Sequence, residues 1–336
     1  LIGLFQSTLI WNSLRYLNFA LYIKQENNKP IAYNDFINYL GYYFYFPTMC
    51  HGPLIMYEDF QQVYKNQYTK NFLQRLSKLF TSVISCIGFL YLAIFLLHYL
   101  HYGLLFQLEE IHVNYPAFHG FYWWAGFLFM LKYLIAYGMA TSASKAEGIS
   151  VPNTPRCIGR ITLYSEMWKT FDQSMYWFKK RYIFKVFLGN SNSKVKQTLA
   201  SFLCFLFVII WHGGRTEIVI WTTINYTEVV LEKIGSNLLK ANCLLKLYKV
   251  YLYPNNIRRI TALLSVPLFC VSSISQYFFF GSYESVQLLI MRIKQESYFV
   301  NGSILLVVYC GCQVSMEIKR RGLVQQMKIE QEKCKS

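Results

Sequence analysis

The feature that most constrains this chain is a set of long stretches with no charge at all. Leu79 to Leu108 runs between Lys78 and Glu109 without an ionisable Asp, Glu, Lys or Arg. Ile260 to Tyr283 and Ser297 to Met316 are also uncharged, and Ala117 to Ala140 is interrupted only by Lys132. Gln197 to Gly214 is eighteen residues long and closes on Trp-His-Gly-Gly. About 20 apolar residues cross the hydrocarbon core of a bilayer as a helix. A spanning segment must satisfy every backbone polar group internally, so these stretches are predicted to be transmembrane helices. Leu1 to Ile23, carrying Asn12, Arg15 and Asn18, and the aromatic Asp35 to Tyr57, broken at Pro47, are weaker segments of the same kind. The estimate is six to eight membrane segments in an all-α polytopic protein.

Composition supports that reading and sharpens it. Hydrophobic residues make up 54% of the 336 and charged ones only 15%, which is too apolar for an ordinary soluble domain or a disordered chain. The charges are lopsided, with 33 Lys+Arg against 17 Asp+Glu. Short basic loops between spans explain both facts, whereas a nucleic-acid partner would leave the apolar excess unexplained. The nine cysteines are scattered without zinc spacing or a disulfide pattern. No GxSxG elbow, phosphate-binding Gly-rich loop or dinucleotide fingerprint occurs. His98, His101, His112 and His119 gather near one helix–loop junction, a pattern read as interfacial packing. The sequons at Asn225 and Asn301 abut apolar segments and are not read as glycosylated. The whole of 1–336 reads as one membrane domain, lacking N-terminal spans because it starts at Leu1, with a polar tail over 317–336.

One segment is neither span nor ordinary loop. Between Pro155 and Lys196 lie nine of the basic residues, including Arg156, Arg160, Lys179, Lys180, Arg181 and Lys185, against only Glu166 and Asp172. On a helix begun at Ser165, Trp168, Phe171, Met175, Phe178 and Tyr182 form an apolar stripe, with Lys169, Gln173, Tyr176 and Lys180 on another face. A basic amphipathic helix of this kind suits the membrane interface. Asp172 falls at the edge of the stripe, either a solvated interfacial charge or a carboxylate turned toward a reaction site. His212 follows one of the most apolar runs in the chain. An ionisable side chain there is costly and marks a functional position, or else a structural histidine bonded to a backbone carbonyl. Its pKa range suits a general base near neutral pH. Gly213 and Gly214 would allow close approach of backbone or substrate.

Met167 to Asp172 (MWKTFD), followed forty residues after Asp172 by His212 within IIWHGG, resembles the membrane-bound O-acyltransferase family. TPRC (Thr154 to Cys157) and the stretch from Tyr42 to Phe60 are similar to its Hedgehog acyltransferase branch, and the resemblance covers most of the chain. It implies a ring of transmembrane helices around a central tunnel, flanked by interfacial amphipathic helices. It further implies an endoplasmic-reticulum enzyme transferring a palmitoyl-type chain from acyl-CoA to the N-terminal cysteine amine of a secreted Hedgehog-type protein. Insect relatives of the branch extend the acceptors to EGF-type ligands. On the matching positions His212 is the catalytic histidine, Asp172 the second polar residue of the site, and Cys157 matches a cysteine that ligates haem. Many relatives carry Asn where Asp172 stands. Trp168 and Trp211 are then candidate walls for the thioester and upper acyl chain, and Arg156, Lys180 and Arg181 candidate partners of the CoA phosphates. The alternatives are an O-acyltransferase acting on a lipid or serine hydroxyl, a catalytically inactive scaffold of the same fold, and a transporter, whose inverted repeat is not visible.

Overall fold

A computed structural model describes residues 2–25, 32–65, 71–101, 114–239 and 254–333. His112, Cys243 and Cys334, and the end of the apolar run beyond residue 101, lie outside the described residues. Every regular element among them is helical. In chain order these are α1 (Ile2–Gln25), α2 (Tyr33–Tyr43), α3 (Phe46–Met49), α4 (Tyr57–Lys65), α5 (Phe72–Tyr99) and α6 (Tyr115–Ala146). A 3-10 turn at Ile158–Arg160 leads to α7 (Tyr164–Thr170), α8 (Gln173–Lys179), a π-helical stretch at Lys180–Phe184 and α9 (Lys185–Leu188). Then come α10 (Lys194–Trp211), α11 (Thr216–Leu239), α12 (Pro254–Phe280), α13 (Tyr283–Gln295) and α14 (Tyr298–Lys333).

Five of these helices, α5, α6, α10, α12 and α14, are long and apolar enough to cross a membrane, and they carry the five strong charge-free stretches. Lys132 on α6 is exposed, as a lysine snorkelling from a span would be. The two weaker segments turn out differently. Asp35 to Tyr57 cannot span, because its backbone is divided between α2, the four residues of α3 and an extended stretch before α4. Leu1 to Ile23 does fold as one long helix, but its polar residues serve packing. The polar tail from residue 317 simply continues α14.

The chain forms two compact units. The first comprises Leu1–His101, Phe127–Pro155 and Lys169–Ala200, and the second Tyr102–Gly126, Arg156–Trp168 and Ser201–Ser336. In the first unit, the buried Arg15 of α1 donates to the carbonyls of Tyr42 (3.1 Å) and Tyr43 (2.9 Å) and to Thr48 Oγ1, closing the C-terminus of α2 and the turn after it. Asn18, also fully buried, accepts from Tyr42 Oη (3.1 Å) and the Tyr57 amide (2.8 Å) and donates to Tyr182 Oη (2.8 Å). The residues that weaken the hydropathy of α1 are thus the ones that tie it to α2, α4 and the π-helical stretch. Hydrogen bonds from a charged donor are worth about 1.5–3 kcal/mol each. Arg15→Met should therefore lower the thermal midpoint of the detergent-purified protein, at a cost of at least about 2 kcal/mol; an unchanged midpoint would show that the guanidinium is dispensable.

In the second unit, α11 packs along α12 and α12 along α14. Asn225, the first residue of one sequon, is fully buried on α11 and donates to the Trp221 carbonyl (2.5 Å) and to Ser275 Oγ (3.4 Å). No glycan fits there.

Candidate active site

The Trp-His-Gly-Gly sequence is a helix terminus. The Gly213 amide donates to the Ile210 carbonyl (3.1 Å) and the Gly214 amide to the Ile209 carbonyl (2.9 Å). That pair of bonds is a Schellman C-cap with His212 as the capping residue. Both glycines lie at positive φ, +87° and +67°, where a Cβ is strained. A Cβ at either would meet no neighbouring atom within 4 Å, so the sequence demands glycine for conformation and the space beside His212 stays open. Sequence reasoning gave the glycines to close approach alone; the cap is what requires them.

His212 leaves the last turn of α10 half-buried. Its ring meets Trp221 of α11 edge-on, centroids 5.7 Å apart at 90°, and Phe279 of α12 at 5.4 Å and 85°. Trp221 in turn packs on Phe279 (4.6 Å) and on Trp168 of α7 (5.5 Å), and Trp168 also meets Phe205 (5.0 Å). Trp168 therefore does join the aromatic surround of the histidine, one ring removed. Trp211 stacks instead on Phe207 of its own helix (6.3 Å). Trp221 and Phe279 were not singled out from sequence, since neither falls in a motif and both sit in apolar helices where aromatics are ordinary core.

Asp172 belongs to the first unit and departs from its predicted setting. The helix expected from Ser165 through Tyr182 breaks there, with Asp172 at φ −121°, ψ 88°. A short carboxylate competes with the helix for backbone donors and is stable as an N-cap. Its Oδ1 accepts from the Met175 amide (3.1 Å) and Ser174 Oγ (2.5 Å), starting α8, and its Oδ2 accepts from Tyr137 Oη of α6 (3.0 Å). Phe171 lies flat against Phe129, centroids 5.6 Å apart and 3° from parallel. The carboxylate is held by three donors from two helices, which fixes its direction. It is neither the solvated charge nor the stripe-edge residue that periodicity offered. Tyr137 gives no sequence signal, being one aromatic among many in α6.

The basic residues divide. Lys180 and Arg181 open the π-helical stretch, a distortion that recurs at functional sites. With Lys185, Trp177, Met56 and Asp59 they line a cavity of about 550 Å³ in the first unit. Lys180 lies over the Trp177 ring (4.7 Å), and Arg181 pairs with Glu58. Burial, with Glu58 adding, raises the Asp59 carboxyl above the usual carboxylate range, Arg181 opposing. Lys179, by contrast, is buried. Arg156 belongs to the second unit, where it pairs with Glu166 (2.7 Å), and Lys319 of α14 meets the same carboxylate (2.9 Å). Cys157 is a free, half-buried thiol immediately before the 3-10 turn. Among the described residues no three His, Cys, Asp or Glu side chains gather as a metal site.

The residues 5–275 match the model of MBOAT, the membrane-bound O-acyltransferase family. The chain belongs to that family. It is 29% identical over 282 residues to the protein-cysteine N-palmitoyltransferase Rasp of Drosophila melanogaster, covering 82% of this chain and 55% of that protein. It is 23% identical over 328 residues to the protein-cysteine N-palmitoyltransferase HHAT of Mus musculus, covering 93% and 65%. A shorter match, 28% over 197 residues, relates it to the membrane-bound O-acyltransferase GUP2 of Saccharomyces cerevisiae, covering 56% and 30%. The chain thus spans between about half and two thirds of the length of the two N-palmitoyltransferases. Family membership agrees with the multi-pass helical fold, and the motif MWKTFD, the cap at His212 and α12 as far as Ser275 all lie within the matched residues.

Proposed function

We propose that this chain carries the core of an acyltransferase of the endoplasmic-reticulum membrane. It moves a palmitoyl-type chain from acyl-CoA to the N-terminal cysteine amine of a secreted signalling protein of the Hedgehog type, with EGF-type ligands as further acceptors. The observation that carries this reading is the open, aromatic-walled helix terminus holding His212, within a chain similar over most of its length to two protein-cysteine N-palmitoyltransferases.

The chemistry asks little of the protein beyond a base and a binding site. A thioester is already activated, so no covalent enzyme intermediate is required. The amine must be neutral to attack, and a histidine with one ring nitrogen unprotonated takes its proton; general-base help of this kind is worth about 10²–10⁴-fold. Asp172, fixed in direction by Tyr137, Ser174 and the Met175 amide, is the second residue assigned to the chemistry, as a carboxylate suited to orient the incoming amine. Trp168, one ring removed from the histidine behind Trp221, is a wall for the acyl chain. Lys180 and Arg181 in their cavity, with Lys185 added to them, are the residues for the CoA phosphates. Arg156 is engaged by Glu166 and has the lesser claim. Were a haem bound, Cys157 would be the residue to hold it, through a thiolate of the type that ligates such an iron. A Soret band lost in Cys157→Ala checks that assignment, and no step of transfer passes through it.

The match to a membrane-bound O-acyltransferase favours a second reading, transfer to a lipid or serine hydroxyl. Offering purified protein and palmitoyl-CoA both a cysteine-initiated peptide and a lipid alcohol separates the two. Amide formed on the peptide, and lost when its amine is blocked, is the expected result. Acylated alcohol with unmodified peptide would replace the first reading by the second.

A further inference from the structure

On α11, Trp221, Asn225, Glu228 and Glu232 follow at intervals of four, three and four residues, which places them on one face. Asn225 and Glu228 are buried, 0% and 2% exposed. Ser272 of α12 donates to Glu228 Oε2 at 2.6 Å, while Glu232 accepts from the amides of Tyr164 (2.5 Å) and Ser165 (3.0 Å) at the start of α7. Three buried oxygens along this side of the helix find no protein donor: Thr222 Oγ1, Asn225 Oδ1 and Glu228 Oε1. A face that only glued α11 to α12 would have its acceptors satisfied.

The spacing of the three is informative. Residues three apart on a helix rise about 4.5 Å and lie about 5–6 Å from each other. Asn225 Oδ1 and a Glu228 carboxylate oxygen are both acceptors and cannot bond each other, but one water placed between them donates to both, and the Thr222 hydroxyl, donor as well as acceptor, can bond such a water in either sense. The face is therefore built to hold a short file of water, beginning beside Trp221, against which His212 packs, and ending on a carboxylate.

The transfer proposed above gives such a file a use. The acceptor arrives as an ammonium with three protons. Attack forms the C–N bond and breaks the thioester C–S bond; the amide keeps one proton and the CoA thiol takes one. One proton per turnover remains, and it must be carried away from His212. We infer that Glu228 receives this proton from His212 through water held on Thr222 and Asn225, and passes it toward the half-buried Glu232. The inference rests on His212 acting as the base. Burial lifts the Glu228 carboxyl to about 7, with Ser272 opposing and Glu232 adding, which matches its proton affinity to an imidazole. The other groups facing Glu228 do not compete. Burial and then the charge of Glu228 raise the Tyr164 phenol, so it stays neutral, and α12 presents the Ser272 hydroxyl.

The test uses the whole membrane protein with acyl-CoA and a cysteine-initiated peptide, measuring kcat against pH in H2O and D2O. Wild type should show kcat rising through about pH 7 as Glu228 ionises. Glu228→Gln should lower kcat about 10-fold, abolish that limb and leave the KM for acyl-CoA unchanged, while Glu228→Asp restores most of the rate. Ser272→Ala keeps the carboxylate but removes a bond that favours its ionised form, so the limb should move to higher pH; this variant decides the matter if the glutamine protein does not fold. A wild-type pH profile and solvent isotope effect in Glu228→Gln, or an unmoved limb in Ser272→Ala, would overturn the relay. An active His212→Ala enzyme would instead overturn the base assignment beneath it.

Discussion

His212→Ala should abolish acyl transfer while leaving the fold in place. Removal of a positioned general base costs about 10²–10⁴-fold in rate, about 3–5 kcal/mol in the barrier, enough to bring turnover to background. The structural cost is small for a definite reason. The cap at this helix terminus is made by backbone bonds, Gly213 to Ile210 and Gly214 to Ile209, and both survive removal of the imidazole. The ring contacts to Trp221 and Phe279 are lost, but His212 is only half-buried and the space beyond it is already open. The measurement is initial rate with palmitoyl-CoA and a cysteine-initiated peptide, beside a thermal midpoint in detergent. An unchanged midpoint with no product is expected; retained product would remove His212 from the site.

Asp172 should separate geometry from charge. Asparagine caps helices about as well as aspartate, whereas alanine loses about 0.5–2 kcal/mol at such a position. Asp172→Asn should therefore keep α8 and the thermal midpoint, with its side-chain oxygen still able to accept from the Met175 amide. Asp172→Ala should lower the midpoint as well, because it loses the cap and leaves Tyr137 Oη without this acceptor. Both should lower the rate, by about 10²-fold or more, if the carboxylate orients the amine. A fully active Asp172→Asn enzyme would confine Asp172 to capping. Because asparagine caps as well as aspartate, that substitution tests chemistry rather than folding.

The two site residues were legible in the sequence for opposite reasons. His212 stands out because ionisable groups are rare at the end of so apolar a run. Asp172 stands out only by resemblance; its periodicity pointed to an unbroken helix that the structure does not contain. A 3.6-residue pattern reports which faces are apolar and cannot see that one carboxylate prefers to bond the amide three residues on. The same limit explains α1. Asn12, Arg15 and Asn18 read as defects in a span, yet Arg15 and Asn18 bond groups between 24 and 164 residues away in sequence.

By itself the sequence determined where the membrane helices lie, because spanning a bilayer is a property of a continuous apolar length and needs no distant partner. The cap at His212 is local as well, but it took the structure to show it: Gly213 and Gly214 lie at positive φ, whereas the sequence was read for close approach alone. Only the tertiary structure decided what each polar group faces. It gave Asp172 to Tyr137, Arg181 to Glu58, Arg156 to Glu166, and Glu228 to Ser272. In an apolar interior a buried charge or hydroxyl is tolerable only with its partner, and the partner is chosen by packing between helices far apart in the chain.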